Sequence, residues 1–480
     1  MNKIQFNKIQ LFLITNIIFL QYSCKDFLDL APITQTNVSS FYQTQEDFEN
    51  AIVSVYDSWQ SIYPGLWTYY TEFRGDTYDR ENQKLGYEVS SNNWTLNTTA
   101  GMWNRLYKVV SNANIILDKI ESKKNFESDV KSRIQAEARF FRAEAYFALV
   151  RLFGSVPLVD TEISSLEAVN TFSAKPSEIY RQIEEDYMFA INHLPASVPG
   201  SDYGRITKYA AEGELARVYI TLSGQVHNQD RWMDAKLLLE NILFSSPYSF
   251  AESYSDIFAE DGGNEKGKEV ILSVLFSAGN QGEASGYEEF IGKYRPLARH
   301  ITFEPGVVES YEHGDLRKEV NIVNGYHALD IDQWVDGHWI NVKFDYLYDI
   351  ESNSSGMDFP LIRYTDMYLL YAETLAEISG SVPDQSLEIL NEVRNRAGLN
   401  SLTRSDVPDI STFRTLIQKE RRSELMFECV RWFDLVRTGK AVEALRNIGK
   451  DADDSWLLFP IPQSEIDKVG EDVLPQNPGY

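Results

Sequence analysis

Two cysteines, Cys24 and Cys429, are all that 480 residues contain, so no disulfide framework can hold this fold. Histidine is nearly as scarce. His193, His227, His300, His313, His327 and His338 include no pair at helix-face spacing and no HExxH, so the usual signal of a zinc site is missing. A GxSxG nucleophile elbow is missing as well. Gly262, Gly267 and Lys268 imitate the start of a phosphate-binding loop, but Glu269 stands where a serine or threonine must hold magnesium. A surface loop before a strand is the plainer reading. Asp451, Asp453 and Asp454 lack the glycine of an EF-hand loop and read as a solvated acidic turn. With 71 acidic residues some pair must fall at glycosidase spacing, so carboxylates alone argue for no hydrolase. The expectation is a protein without catalytic residues, cofactor or metal.

Basic residues are also in deficit, 45 against 71 acidic, and the formal charge of −26 would be repelled by phosphate backbones. Nucleic-acid binding is excluded on that ground. Long apolar runs are absent except near the start. Lys3 and Lys8 precede an apolar stretch, 11–20, broken only by Thr15 and Asn16, and Ser23 precedes Cys24. This is a secretory signal, too short to span a bilayer, with a cysteine at the cleavage point. It predicts a bacterial lipoprotein in which 1–23 is removed and Cys24 is acylated. More than one acyl chain, at about 0.8 kcal/mol per buried methylene, makes a durable anchor. Leu20 sits four positions before the cysteine, one further than in the usual lipobox.

The rest of the chain is rich in what folds: 43% hydrophobic and 13% aromatic residues. Apolar residues recur at helical spacing and predict helices over 103–120, 134–152, 179–194, 211–222, 232–242, 364–378, 387–397 and 413–435. Pro176, Thr207, Gly154, Pro195 and Gly224 mark their starts and stops. Ala145, Ala216 and Ala372 inside the stripes let helices approach closely, as in tetratricopeptide pairs, although no 34-residue period is kept. The fold class predicted is all-α, with degenerate tetratricopeptide-like helix pairs, long irregular loops and minor β. Two irregular, aromatic stretches interrupt it, 62–100 and 245–357, the second holding a β-like run at 269–276. Loops of such length usually carry function.

Several segments together resemble one family. Asp26, Phe27, Leu28, Asp29 and Pro32 follow the lipoprotein cysteine; AEARFFRAEAYFALVRLFGSVPLV occupies 136–159; KERRSELMFECVRWFDLVRTGKA occupies 419–441; FPIPQSEI and the terminal LPQNPGY complete the series. In this order they resemble SusD/RagB proteins, the nutrient-binding outer-membrane lipoproteins. Cys429 departs from the pattern, standing where a glycine is common, and so does 468–472, which replaces the usual Asn-Pro spacing. The resemblance implies a signal peptide at 1–23, an N-terminal SusD-like helical region at 24–244, a variable loop-rich region at 245–357 and a C-terminal SusD/RagB region at 358–480. It further implies a non-enzymatic, lipid-anchored receptor exposed at the outer-membrane surface, which hands oligosaccharide to a SusC-like TonB-dependent transporter. Peptide capture, as in RagB-like relatives, and a secreted glycoside hydrolase are the alternatives.

Sugar rings present apolar C–H faces and hydroxyl rims, so a receptor needs flat aromatic platforms beside directional polar groups. In the first irregular stretch Trp67, Tyr70, Arg74, Asp76, Arg80, Trp94 and Asn97 are the candidates. The resemblance supports Trp94 and Asn97 in particular, since relatives often touch glycan from this pre-helix loop. In the second stretch the candidates are Tyr287, Tyr294, Arg295, Trp334 and Trp339. Glu420, Arg421, Arg422, Glu424, Glu428 and Arg431 lie three and four apart and read as intrahelical ion pairs rather than a catalytic set.

Overall fold

A computed structural model describes residues 41–63, 65–79, 84–95, 98–258, 264–277, 302–328, 333–344, 348–349 and 354–480. Contacts divide the chain into a short unit, Met1–Ala51, and a main body, Ile52–Tyr480. Its longer elements are α1 (Gln45–Gln60), α2 (Gly65–Thr71), β1 (Tyr78–Asp79), α3 (Lys84–Ser90), α4 (Ala100–Glu121), α5 (Ser128–Phe153), α6 (Pro176–His193), α7 (Lys208–Ser223) and α8 (Trp232–Ser245). After them come β2 (Val270–Val274), β3 (Thr302–Phe303), β4 (Ile322–Ala328), β5 (Gln333–Asn341), β6 (Phe359–Arg363), α9 (Tyr364–Ser379), α10 (Asp384–Arg396), α11 (Ile410–Glu424) and α12 (Arg431–Arg437).

The all-α plan holds. From α4 to α8 each helix packs on the next in chain order, and α8 then meets α9, which packs on α10 and α11. The strands form only two-stranded sheets among the described residues, β2 with β6, β1 with β3, and the hairpin β4–β5 being the ones that matter here. Caps fall where the sequence marks them. The Thr207 hydroxyl accepts the Ala210 N–H at the start of α7, and the Asp409 carboxylate accepts the Thr412 N–H, 2.8 Å away, at the start of α11. Buried Arg142 on α5 donates to both oxygens of Asp186 on α6 (2.7 and 2.8 Å) and to Asn114 on α4 (2.7 Å), locking three successive helices together.

Two expectations need correction. The helix over 413–435 is two helices, α11 and α12, separated by a break in which Phe427 and Cys429 adopt φ of 69° and 61°. Apolar spacing runs on through LMFECV and carries no sign of this reversal. Nor do the charges of this block pair with one another along one helix. Glu424 reaches Arg396 (2.6 Å), Arg363 (3.1 Å) and Arg317 (3.3 Å), Glu428 reaches Arg363 and Lys343, Glu420 reaches Arg317, and Arg421 bridges Asp366 and Asp434. These pairs are buried and join α11 and the break to β6, α9, α10 and the segment after β3. Burial pulls Lys343 down to about 8, with Glu428 acting against it. Glu269, the residue that spoiled the phosphate-loop motif, is also enclosed, accepting from Arg363 (3.0 Å) and the Thr365 amide (3.1 Å).

Candidate functional site

Among the described residues of 62–79 the aromatic side chains turn inward. Six residues of Gly-Leu-Trp-Thr-Tyr-Tyr make most of α2, and Trp67, Tyr69 and Tyr70 on it are buried. Trp67 tilts against Tyr63 (5.4 Å between centroids) and Phe433 (5.7 Å); Tyr70 packs on Phe459 (5.0 Å) and donates its hydroxyl to the Thr98 carbonyl at 2.6 Å. Tyr69, Phe73 and Tyr78 stack in sequence, and Tyr78 stacks further on Phe303 and Phe427, all with centroids 5.1 to 5.7 Å apart.

Arg74 is caged. Its guanidinium lies 4.9 Å from the ring of Phe459, 5.0 Å from Trp456, 5.2 Å from Trp94 and 5.6 Å from Trp432. It donates to the Trp456 carbonyl through Nε (3.1 Å) and Nη2, and to Asn92 Oδ1 (2.8 Å) and the Val89 carbonyl (3.4 Å) through Nη1. Burial lowers it to about 10. Asn92, itself left-handed at φ 55°, accepts also from Trp94 Nε1 (2.7 Å) and the Tyr480 hydroxyl (3.0 Å), so one amide oxygen joins loop, cage and C-terminus. Asp76 is likewise enclosed. Burial would raise its pKa, but a two-pronged contact with Arg431 (3.0 and 2.8 Å) and the nearby Arg422 hold it at about 2.

Trp67, Tyr70, Arg74 and Asp76 were expected to face a ligand, and the structure puts all four in the interior, where their surfaces are spent on packing and internal pairing. Trp94 is different. It is half-buried, its edge against Phe459 (5.1 Å) and Tyr480 (6.4 Å), with Arg74 on its ring. Its nitrogen is answered and its ring immobilised, but part of that ring stays accessible. Arg80 and Asn97 lie outside the described residues, as do Tyr287, Tyr294, Arg295 and Cys24.

In the first stretch Tyr87 is exposed, and in the second the exposed aromatic is Trp334. In the β4–β5 hairpin His327 pairs with Trp334 and Asn324 with Trp339, with a register shift between Asn324 and Tyr326. Gly325 sits at the shift with φ 131°, and a Cβ there would come within 2.5 Å of the Trp334 indole, so this ring can lie across the strand only because residue 325 has no side chain. Trp334 Nε1 donates to Asp336 Oδ1 at 2.6 Å, and the residue is 45% exposed. Trp339 is half-buried, with the Lys318 ammonium 5.1 Å from its centroid.

The two stretches, some 240 residues apart in sequence, meet. β1 pairs with β3, the Glu304 amide donates to the Thr77 carbonyl (3.0 Å), and Asn341 at the end of the hairpin donates to the Tyr78 hydroxyl (2.9 Å). The stack ending in Tyr78 therefore meets the base of the hairpin. The missed signal lay at the C-terminus. Trp456, Phe459 and Tyr480 complete the cage around Arg74 and Trp94, and FPIPQSEI and LPQNPGY, read only as family motifs, are the segments that supply Phe459 and Tyr480. Among the described residues no three His, Cys, Asp or Glu side chains gather as a metal site, and no helix is long and apolar enough to cross a membrane.

Two family models match the chain, one described as the SusD family over 257–480 and one as starch-binding associating with outer membrane over 26–220. A curated relative, SusD-like protein P25 of Formosa agariphila, is 26% identical over 90% of each chain. Among solved structures, a SusD superfamily protein from Parabacteroides distasonis superposes with a TM-score of 0.79 at 25% identity, covering 91% of this chain and 99% of that one. A laminarin-binding SusD-like protein superposes with 0.77 at 25% identity over 91% and 99%.

Proposed function

The chain belongs to the SusD/RagB family, and on that premise we propose that it is a surface glycan receptor: a lipoprotein anchored through Cys24 that captures oligosaccharide and passes it to a SusC-like TonB-dependent transporter. The observation that carries the reading is an immobilised, partly accessible tryptophan in each of the two irregular stretches. Trp334 is held across Gly325 and half-exposed, and Trp94 is clamped by Arg74 and Asn92 with part of its ring accessible. Rings fixed before the ligand arrives lose little freedom on binding, which suits weak stacking on a sugar face. The laminarin-binding neighbour supports a neutral glucan among the polymers to try first. The acidic surface disfavours polyanionic glycans. Capture needs no reacting group, and the reading assigns none.

Affinity electrophoresis of the full chain in detergent, in gels cast with laminarin, starch or other neutral polysaccharides, tests it. Retardation by one polymer without degradation is expected, with roughly tenfold weaker apparent affinity in Trp334→Ala, about the value of one lost stacking partner. Trp94→Ala should weaken it less, because only part of that ring is accessible. Absence of retardation by every polymer, or release of reducing ends from the bound one, would overturn the proposal.

A further inference from the structure

We propose that a cavity between α5, α6, α12 and the C-terminal segment binds an apolar monocarboxylate, its head on Arg151 and its hydrocarbon part against the surrounding helices. The cavity measures about 650 Å³, within the range of small-molecule sites, and shares no lining residue with Trp94 or Trp334. Val150, Tyr180, Val226, Phe433, Val436 and Leu458 give it walls that are mostly apolar. The C-terminal segment closes it. The Phe459 amide donates to the Leu152 carbonyl (2.7 Å), and Asn477 Nδ2 donates to the carbonyls of Phe153 (2.9 Å) and Phe459 (2.7 Å). Gly154, at φ 73°, lets this segment lie on the end of α5, for a Cβ there would come within 2.9 Å of Leu458 Cδ1. These internal contacts form the cavity before any ligand enters.

Arg151 stands where this cavity meets a smaller chamber of about 70 Å³, and it lines both. Its guanidinium is fixed between two rings, with Cζ 3.6 Å from the centroid of Phe147 and 3.9 Å from that of Phe433, and Nε donates to the Phe147 carbonyl at 3.0 Å. Both Nη groups keep accessible surface and have no partner among the described residues, and no carboxylate there pairs with this side chain. Burial lowers its pKa, as it does for a cation taken from water without a counter-charge. Glu214 and Glu144, the acids that act on it, are engaged elsewhere. Glu214 is taken by Arg217 (2.6 Å), and Glu144 accepts the Tyr187 hydroxyl (2.7 Å) while burial and Glu214 raise its carboxyl far enough to keep a proton at pH 7. Of the other basic groups in the lining, Arg437 is answered by Glu373 (2.7 Å) and Asp434 (2.8 Å), and burial keeps His227 neutral. A planar fork with both Nη groups free takes a carboxylate two-pronged. Asp453 and Asp454, exposed on the rim, repel any second anionic group, which sets a monocarboxylate apart from phosphates and dicarboxylates.

Fluorine NMR of para-fluorohydrocinnamate at about 1 mM, with the full chain in detergent and a detergent-only blank, tests this at the concentration a ligand of that size requires. Saturable broadening beyond the blank is expected. Arg151→Met keeps the stem between the rings and removes the fork, so it should weaken binding roughly tenfold or more, with Arg151→Lys in between. The neutral amide of the same skeleton should bind the parent and Arg151→Met alike. Should Arg151→Met fail to fold, Val226→Asp, at a valine 51% exposed on the rim, adds a further acid there and should weaken binding roughly threefold or more. Octanoate and unlabelled hydrocinnamate should displace the probe, and the one effective at lower concentration tells whether an aliphatic or an aryl acid is the natural occupant. No broadening beyond the blank, displacement by neither acid, equal affinity of acid and amide, or acid binding that survives both variants would overturn the proposal. Trp334→Ala should leave the fluorine signal intact, so failure here leaves polymer retardation standing, and failure of retardation leaves this cavity standing.

Discussion

Residues 62–95 and the hairpin of residues 322–341 use the same vocabulary of tryptophan, tyrosine, glycine and asparagine, and put it to opposite uses. In the first, the polar handles of Arg74, Asp76 and Tyr78 are answered mainly from far away. The Arg74 guanidinium goes to Trp456, the Tyr78 hydroxyl takes Asn341, and Asp76 takes Arg431. Around Trp334 in the hairpin the answers are local, Trp334 to Asp336 and the Gly337 amide to Asn324, which leaves an aromatic face over. An aromatic ring becomes core when distant segments bring it partners, and becomes a platform when its own strand suffices.

The sharpest way to break this comparison is Arg74→Ala. The change removes a fully buried cation from four aromatic faces and strips donors from the Trp456 carbonyl and Asn92, so a loss of about 3 kcal/mol or more is expected. Trp334→Ala should stay within about 0.5 kcal/mol of the parent. Urea midpoints of the two variants measure the contrast. Equal midpoints would mean that the cage does not hold the segment and that the two regions do not differ in the way described.

Glu72, one residue past α2, carries the next largest effect. Burial raises its carboxyl to about 7 from 4.5, although its Oε1 accepts the Cys429 N–H at 2.8 Å. With the folded pKa above the unfolded one, the folded state keeps a proton that the unfolded state sheds, so stability is greatest below about 4.5 and falls as pH rises toward 7. Glu72→Gln should therefore change little at pH 5 and stabilise by roughly 2–3 kcal/mol at pH 8. Stability measured at both values decides it, and an equal effect at the two pH values would show that the carboxyl is ionised in the folded state throughout. No such dependence is expected from the hairpin variants.

How far the sequence could be read follows from the range of the forces involved. Helices were legible because a stripe at 3.6-residue spacing and a cap are local: α7 begins at its Thr207 cap and α9 spans 364–379 against the expected 364–378. The break after α11 was not, because it is imposed from outside, by Glu72 on the Cys429 amide and by Lys343 on the carbonyls of Glu424 and Met426. Trp67, Tyr70, Arg74 and Asp76 were misread for the same reason. Composition reports that a stretch is aromatic and irregular; it does not report Phe433, Phe459 or Trp456 arriving from the other end of the chain. Trp334 was readable as a loop aromatic, but the glycine beneath it acquires meaning only once the strands are paired.

Cys429 offers the smallest test of the caged side, and one whose sign is informative. Its φ of 61° costs an L-residue roughly 1–2 kcal/mol, while its buried sulfur makes a 3.6 Å contact with the Thr68 hydroxyl. Burial pushes the thiol well above its ordinary pKa, so it is held as a neutral, unreactive group. Cys429→Ala keeps the strain and loses the sulfur; Cys429→Gly loses the sulfur and releases the strain. In an ordinary helix or strand glycine is less stable than alanine by roughly 0.5–1 kcal/mol. Here the order should invert, with the glycine variant about 1 kcal/mol more stable than the alanine variant. The urea midpoints of the pair measure this directly. If alanine proves the more stable, then residue 429 is not strained, and the reversal that points Glu428 at Arg363 and Cys429 at Glu72 is set by its buried partners alone.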